Sequence, residues 1–283
     1  MTLLRTWTSR LYLPLMLLGV NGLGIAGVAS GRPPALLVVL LVVAIGLSFA
    51  AERLIPYRAE WNRSLGDGPR DVAHAVVNEG LSLGTTAAVP LLGALVPPTG
   101  LWPASLPFAL QVVGAVVVLD AGIALAHVAS HRWAWLWRLH AVHHSVRRLY
   151  GFNGLMKHPL HQLVETTAGA TPLLVLGMPA DVALALAFCT AVQLLLQHSN
   201  ADYRTGGLEW LLALNRVHRF HHVGRAGDGD VNFGLYTNLV DHALGTFHYD
   251  RSRTFGSADL GIADEPAYPT GYVPQLVAPF QAR

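Results

Sequence analysis

Residues 106–144 read LPFALQVVGAVVVLDAGIALAHVASHRWAWLWRLHAVHH. The apolar run over residues 106–126 passes without a break into His127 and His131, then through a tryptophan-rich link into His140, His143 and His144. About 20 apolar residues in a helix cross the hydrocarbon core of a bilayer. On a helix, positions i, i+3 and i+4 share one face, so each histidine box can turn its imidazoles one way. The stretch predicts a membrane helix that ends in a set of metal-ligating side chains.

Working outward, five more apolar runs pair up with it. Residues 11–30 and 35–51 flank the breaker Gly31-Arg32-Pro33-Pro34, and residues 72–96 are joined to 106–126 through 97–105. Residues 160–176 and 180–196 flank Gly177-Met178-Pro179, and are short enough for a shallow or re-entrant hairpin. The expected fold is an all-α integral membrane protein of about six transmembrane helices in three hairpins, with a cytosolic helical cap of histidine boxes. Three regions follow: N-terminal membrane helices (1–119), a catalytic region that includes the third hairpin (120–250), and a cytosolic tail (251–283).

Composition supports the membrane class. Of 283 residues, 52% are hydrophobic and 13% charged, about half the charge of an ordinary soluble domain. With both termini inside, every Lys and Arg except Arg32 falls on the cytoplasmic side. The first 30 residues also have features of a secretory signal, but Pro14 and Asn21 interrupt the run and no clear cleavage site follows, so a retained helix is expected. A formal charge of +2 gives no reason to expect nucleic acid. Lys157 is the lone lysine, a hint of a GC-rich bacterial genome and hence a bacterial inner membrane. Cys189 is the single cysteine, which excludes a disulfide framework and thiolate zinc.

Fourteen histidines remain to be explained. A third box, His218-Arg-Phe-His221-His222, follows the third hairpin. That hairpin would also return His158 and His198 to the same membrane face, for ten converging imidazoles. Ten nitrogen ligands are too many for one ion and suit two at about five each. HVASH lacks the glutamate of HExxH, so a zinc metalloprotease has no general base here. Imidazole suits Fe, Zn, Cu and Ni alike and does not name the metal.

These residues resemble the fatty acid hydroxylase and sterol desaturase family of membrane di-iron oxygenases. The resemblance runs through Asp120 with His127 and His131, then Leu136-Trp137-Arg138-Leu139-His140-Ala-Val-His143-His144-Ser145, His158-Pro159-Leu160, Gln197-His198-Ser199-Asn200 and the third box. Asp230-Val-Asn232-Phe-Gly234 and Asp241-His-Ala-Leu-Gly245-Thr246 continue it. It departs at His161, where many relatives have glutamate, and at Val240, where tryptophan usually precedes the aspartate. The resemblance implies two iron ions, O2 as co-substrate and two external electrons. It also implies metal ligands at His127, His131, His140, His143, His144, His158, His198, His218, His221 and His222. Its product would be a hydroxylated fatty acyl chain, sterol or related lipid drawn from the bilayer.

Other residues have weaker assignments. Asp120, costly in an apolar helix, is expected to accept an N–H from a ligand histidine, with a helix-packing bond as the alternative. His161 and Glu165 continue the face of His158 as a spare ligand and its orienter, though structural roles are preferred. His242 is a further candidate ligand, whereas His74 and His248 are not. Asn78 and Glu79 form a buried polar pair on the metal side. Trp133, Trp135 and Trp137 read as an interfacial aromatic belt. Asp228-x-Asp230-x-Asn232 fails as a calcium loop, with Phe233 where glycine is needed.

A lipid monooxygenase leads, with hydroxylation ahead of desaturation. A histidine-rich metal transporter is the alternative class, but transporters place ligands nearer the bilayer midplane. No dinucleotide fingerprint or haem-domain signature is visible, so electrons are expected from a separate ferredoxin- or cytochrome-type protein.

Overall fold

A computed structural model describes residues 2–95, 99–225 and 227–281. Val96, Pro97 and Pro98 at the second hairpin tip and the basic Arg283 lie outside the described residues. The elements are helical, and among the described residues extended backbone pairs only in three isolated bridges.

Helix α1 (Thr2–Ala29) contains a π-helical turn at Leu15–Val20, directly after Pro14. Proline withholds an N–H from the i→i−4 ladder, and a π turn is one way to absorb the loss. Gly31, at φ 68°, turns the chain into α2 (Ala35–Leu54). Helices α3 (Gly68–Leu95) and α4 (Phe108–Arg132) follow. At Trp133 the backbone is extended, and α5 (Ala134–His144) sets off in a new direction.

His158 caps α6 (Pro159–Leu176), with proline at its first turn, and left-handed Gly177 ends it. Helix α7 (Ala180–Gln197) is the axis of the bundle. Thirteen of its residues are buried, and it packs on α1, α2, α3 and α4. The short helices α8 (Asn215–His221), α9 (Leu239–Leu244) and α10 (Tyr272–Val277) complete the chain.

Among the described residues, α1, α2, α3, α4 and α7 are long and apolar enough to cross a membrane. The chain is a multi-pass membrane protein. The third hairpin forms, but α6 falls short of the other five because His161, Gln162, Glu165, Thr166 and Thr167 crowd its first half. Leu18, Val38, Val76, Leu83 and Leu110 point outward and are more than half exposed. Such a surface is stable against lipid and a liability in water.

Helices α4 and α6 have the most extensive contact in the bundle. A Cβ on Gly122 would lie 2.3 Å from the Ala168 carbonyl oxygen, and one on Gly169 would lie 2.9 Å from that of Leu119. Small residues bring the two backbones together, as is usual between membrane helices. A second apolar cluster around Trp61, Val142, Phe220 and Phe255 is separate from the bundle core. It supports the layer of loops and short helices that carries the histidines.

Candidate metal centre

Nine histidines sort into two groups. His127, His131, His140, His144 and His221 each present one ring nitrogen within 4.8 Å of the others, and so do His143, His198, His218 and His222. In the first group, Nε2 of His140 lies 2.9 Å from those of His127 and His144, and His144 Nε2 lies 3.0 Å from His221 Nε2. In the second, His218 Nε2 lies 3.1 Å from His198 Nε2 and 3.0 Å from His222 Nε2.

Each HxxHH box divides between the groups, contrary to the expectation that a box turns all its rings one way. The i and i+4 residues His140 and His144 join the first group and His143 the second. In the third box the assignment is reversed: His218 and His222 join the second and His221 the first. The i+3 ring sits at the edge of the helical face, where it reaches across. The exchange places the groups side by side, with His144 and His222 rings 4.9 Å apart.

The backs of the rings show which nitrogens face inward. Nδ1–H of His127 donates to the Phe233 carbonyl at 2.8 Å, that of His221 to Val231 at 2.9 Å, and that of His143 to Met156 at 2.9 Å. His131 donates from Nδ1 to Asp230 at 2.8 Å, and His198 to Asn153 Oδ1 at 3.2 Å. With Nδ1 carrying the hydrogen, a neutral ring has its lone pair on Nε2.

Desolvation first, and then the neighbouring imidazoles, keep His140, His144, His218, His221 and His222 well below the usual imidazole range. Burial also takes His198 down to about 3. Neutral rings whose inward nitrogens carry lone pairs repel one another, and the Nδ1 atoms of His140, His218 and His222 have no hydrogen-bond partner among the described residues, so a cation would satisfy the arrangement. The donor set fits two divalent ions, with five and four imidazoles.

Several expected residues lie elsewhere. His158 is in neither group: its Nδ1 accepts the Leu160 N–H that starts α6, and its Nε2–H donates to Leu276. Asp120 touches no histidine. It accepts the backbone N–H groups of Leu235, Tyr236 and Thr237 at 2.8–2.9 Å and the Thr237 hydroxyl, so it acts on the loop behind His127.

His161 lies beside His140, rings 4.5 Å apart, and donates from Nε2 to Ser130. With Glu165 and His140 it forms a third, smaller group, and Glu165 is paired with Lys157. His242 is exposed, donating to the Trp210 carbonyl. Trp133 and Trp135 face outward, but Trp137 turns in, 5.2 Å from the rings of both His131 and His144. His74 bridges the Lys157 carbonyl and Gln275.

A sequence profile described as fatty acid hydroxylase matches residues 112–246, which include all nine clustered histidines. The ornithine lipid hydroxylase OlsE of Rhizobium tropici is 35% identical over 241 residues, 82% of this chain and 72% of that protein. The chain belongs to the fatty acid hydroxylase family. No solved structure matches it.

In this fatty acid hydroxylase family member, the groups that orient the rings were hardly legible from residue spacing. Asp241 accepts the N–H of Phe233 and of Gly234, and Gln197 donates to the carbonyls of Gly234 and Leu235. Asn232, with a left-handed backbone at φ 57°, ties Val217 to His248. Backbone carbonyls that hold rings have no residue signature. Only the family segments around Asp230 and Asp241 pointed to this loop.

A cavity of about 100 Å³ lies inside the bundle between α3, α4, α6 and α7, with a mostly apolar wall that includes Leu119, Leu173 and Leu186. Ile123 and Leu194 line both this cavity and the pocket walled by His127, His140, His143 and His218. The apolar space and the histidine pocket are therefore neighbours that share these two residues as a common wall.

Proposed function

We propose that the protein is a di-iron lipid monooxygenase that hydroxylates an aliphatic C–H bond. The observation that carries this reading is the contact between an apolar cavity and two groups of inward-facing imidazoles. On this reading His127, His131, His140, His144 and His221 hold one iron, and His143, His198, His218 and His222 the other. The bound irons would supply the oxidising power that an unactivated C–H bond requires.

The balance is one C–H bond, one O2, two electrons and two protons giving one C–OH and one water. The chain's own part is to fix the imidazoles from behind, through the carbonyls of Phe233, Val231 and Met156, and to keep water from the apolar cavity. Electrons would come from a separate ferredoxin- or cytochrome-type donor. The membrane would be a bacterial inner membrane, with the termini and histidine groups cytoplasmic. Support for that orientation is the charge asymmetry, in which Arg32 alone lies in an outer turn.

The test is purification from membranes, metal analysis, and mass spectrometry of lipids from a deletion strain and its complemented partner. The reading expects about two irons per chain and, in the complemented strain only, a lipid carrying one added oxygen. A lipid lacking two hydrogens would instead make the protein a desaturase. Rapid metal flux into liposomes without any lipid product would make it a transporter.

A further inference from the structure

Glu79 is the one charged residue in the wall of the bundle cavity. No hydrogen bond or ion pair reaches its carboxylate among the described residues. A carboxylate in an apolar cavity is costly unless it finds a partner. Several polar groups nearby have partners elsewhere, while the Ser82 hydroxyl in the same wall has none among the described residues. Lys157 is paired with Glu165, the Thr85 and Thr86 hydroxyls donate to the carbonyls of Leu81 and Ser82 on their own helix, and Gln162 donates to Thr166.

The depth of Glu79 relates it to the histidines. The preceding residue, Asn78, donates to the carbonyls of Leu155 and Lys157. Between those two lies Met156, whose carbonyl accepts the Nδ1–H of His143. Glu79 is thus tied through its neighbour to the segment that orients the second histidine group, and it faces the cavity that adjoins that group.

We propose that Glu79 is the counter-ion for a cationic headgroup, so that the cavity selects a lipid bearing a free ammonium group. The inference rests on the reading of the cavity as the lipid site. An ammonium ion would meet the carboxylate while the acyl portion occupied the apolar wall. A neutral lipid would leave the carboxylate unmatched, and such mismatches are how polar sites reject analogues.

The experiment uses the full-length, iron-loaded protein in nanodiscs and two probes with identical acyl chains: an ornithine lipid with its free amine, and the same lipid N-acetylated to remove the charge. Equilibrium binding and product formation are measured for each. The wild type is expected to bind the free amine about tenfold more tightly. Glu79→Gln should abolish that preference, and Glu79→Asp should restore part of it, with metal content and Tm the same in all three.

Equal binding of the two lipids by the wild type overturns the proposal, as does an undiminished preference in Glu79→Gln. The wild-type comparison stands even if a variant fails to fold. Tight, amine-dependent binding without oxidised product would uphold the role of Glu79 and refute the hydroxylase reading instead.

Discussion

Asp241 accepts the backbone N–H of Phe233 at 2.8 Å, and the carbonyl of that same residue accepts the Nδ1–H of His127. A carboxylate outside the histidine groups therefore controls the direction of a ring inside one. Asp120 holds the next turn of the same loop from the opposite side. Loss of a group that orients a ligand commonly costs about 10–100-fold in metal affinity. Asp241→Asn is expected to lower metal retention on that scale, read by elemental analysis after dialysis against a chelator. Asp241→Ala should also lower Tm, because hydrogen bonds to a charged group contribute about 1.5–3 kcal/mol each. Full metal retention in both variants would show that the loop does not steer His127.

His158 and His198 were expected to converge on the histidine boxes, and the structure places only His198 there. His198→Ala removes one of four nitrogens from the second group, and about one metal per chain should be lost. His158→Asn preserves a helix-capping side chain and should retain both metals. Elemental analysis of the two purified proteins decides the matter, and loss of metal from His158→Asn would return that residue to the ligand set.

The cavity wall offers a substitution remote from the ligands. Ala187 lines the apolar space within α7, and Ala187→Phe would fill part of it. Turnover of a long-chain lipid should fall by at least about tenfold, a cost of roughly 1.4 kcal/mol in the barrier, while metal content stays at the wild-type level. Unchanged turnover would mean that the lipid reaches the histidines by another route.

The buried imidazoles also set a pH response for the metal-free protein. Their pKa values are depressed in the fold, His198 to about 3, against about 6.5 when unfolded. Below pH ~6.5 the unfolded chain takes up protons that the folded chain refuses, so stability falls as pH is lowered. The Tm of the metal-free protein in detergent should drop progressively from pH 7 to pH 5. A flat profile would show that the folded chain takes up protons as readily as the unfolded one, and so that the rings are not held as buried neutral bases.

The hairpins and the boxes were legible because each is a local pattern: an apolar run, a Gly/Pro break, or an i, i+3, i+4 spacing. The sorting of the boxes was not, because it depends on where α8 is placed relative to α5, and that placement is set by distant contacts. Asn215, for example, donates to the carbonyls of Ser199 and Ala201 and so brings the third box beside His198. His158 was expected as a ligand because the third hairpin returns it to the metal face and because His158-Pro159-Leu160 resembles the family, but directly before a proline-led helix an imidazole can also cap. Asp120 was recognised as a buried carboxylate in need of partners, yet its partners are main-chain amides 115 to 117 residues away. No spacing rule reports such bonds.

The contact of Gly122 with Gly169 bears on what kind of receptor the cavity is. Helices α4 and α6 both contribute to its wall, through Leu119 and Ile123 on one and Thr166 and Ala170 on the other. At Gly122 main chain rests on main chain, and beside Gly169 the Leu119 and Ile123 side chains fill what space is left, so the helices have little room to move apart or together. On that side the cavity behaves as a fixed gauge. A lipid is admitted by having the right cross-section, and any adjustment to a bulkier guest has to come from the opposite wall, where α3 faces α7.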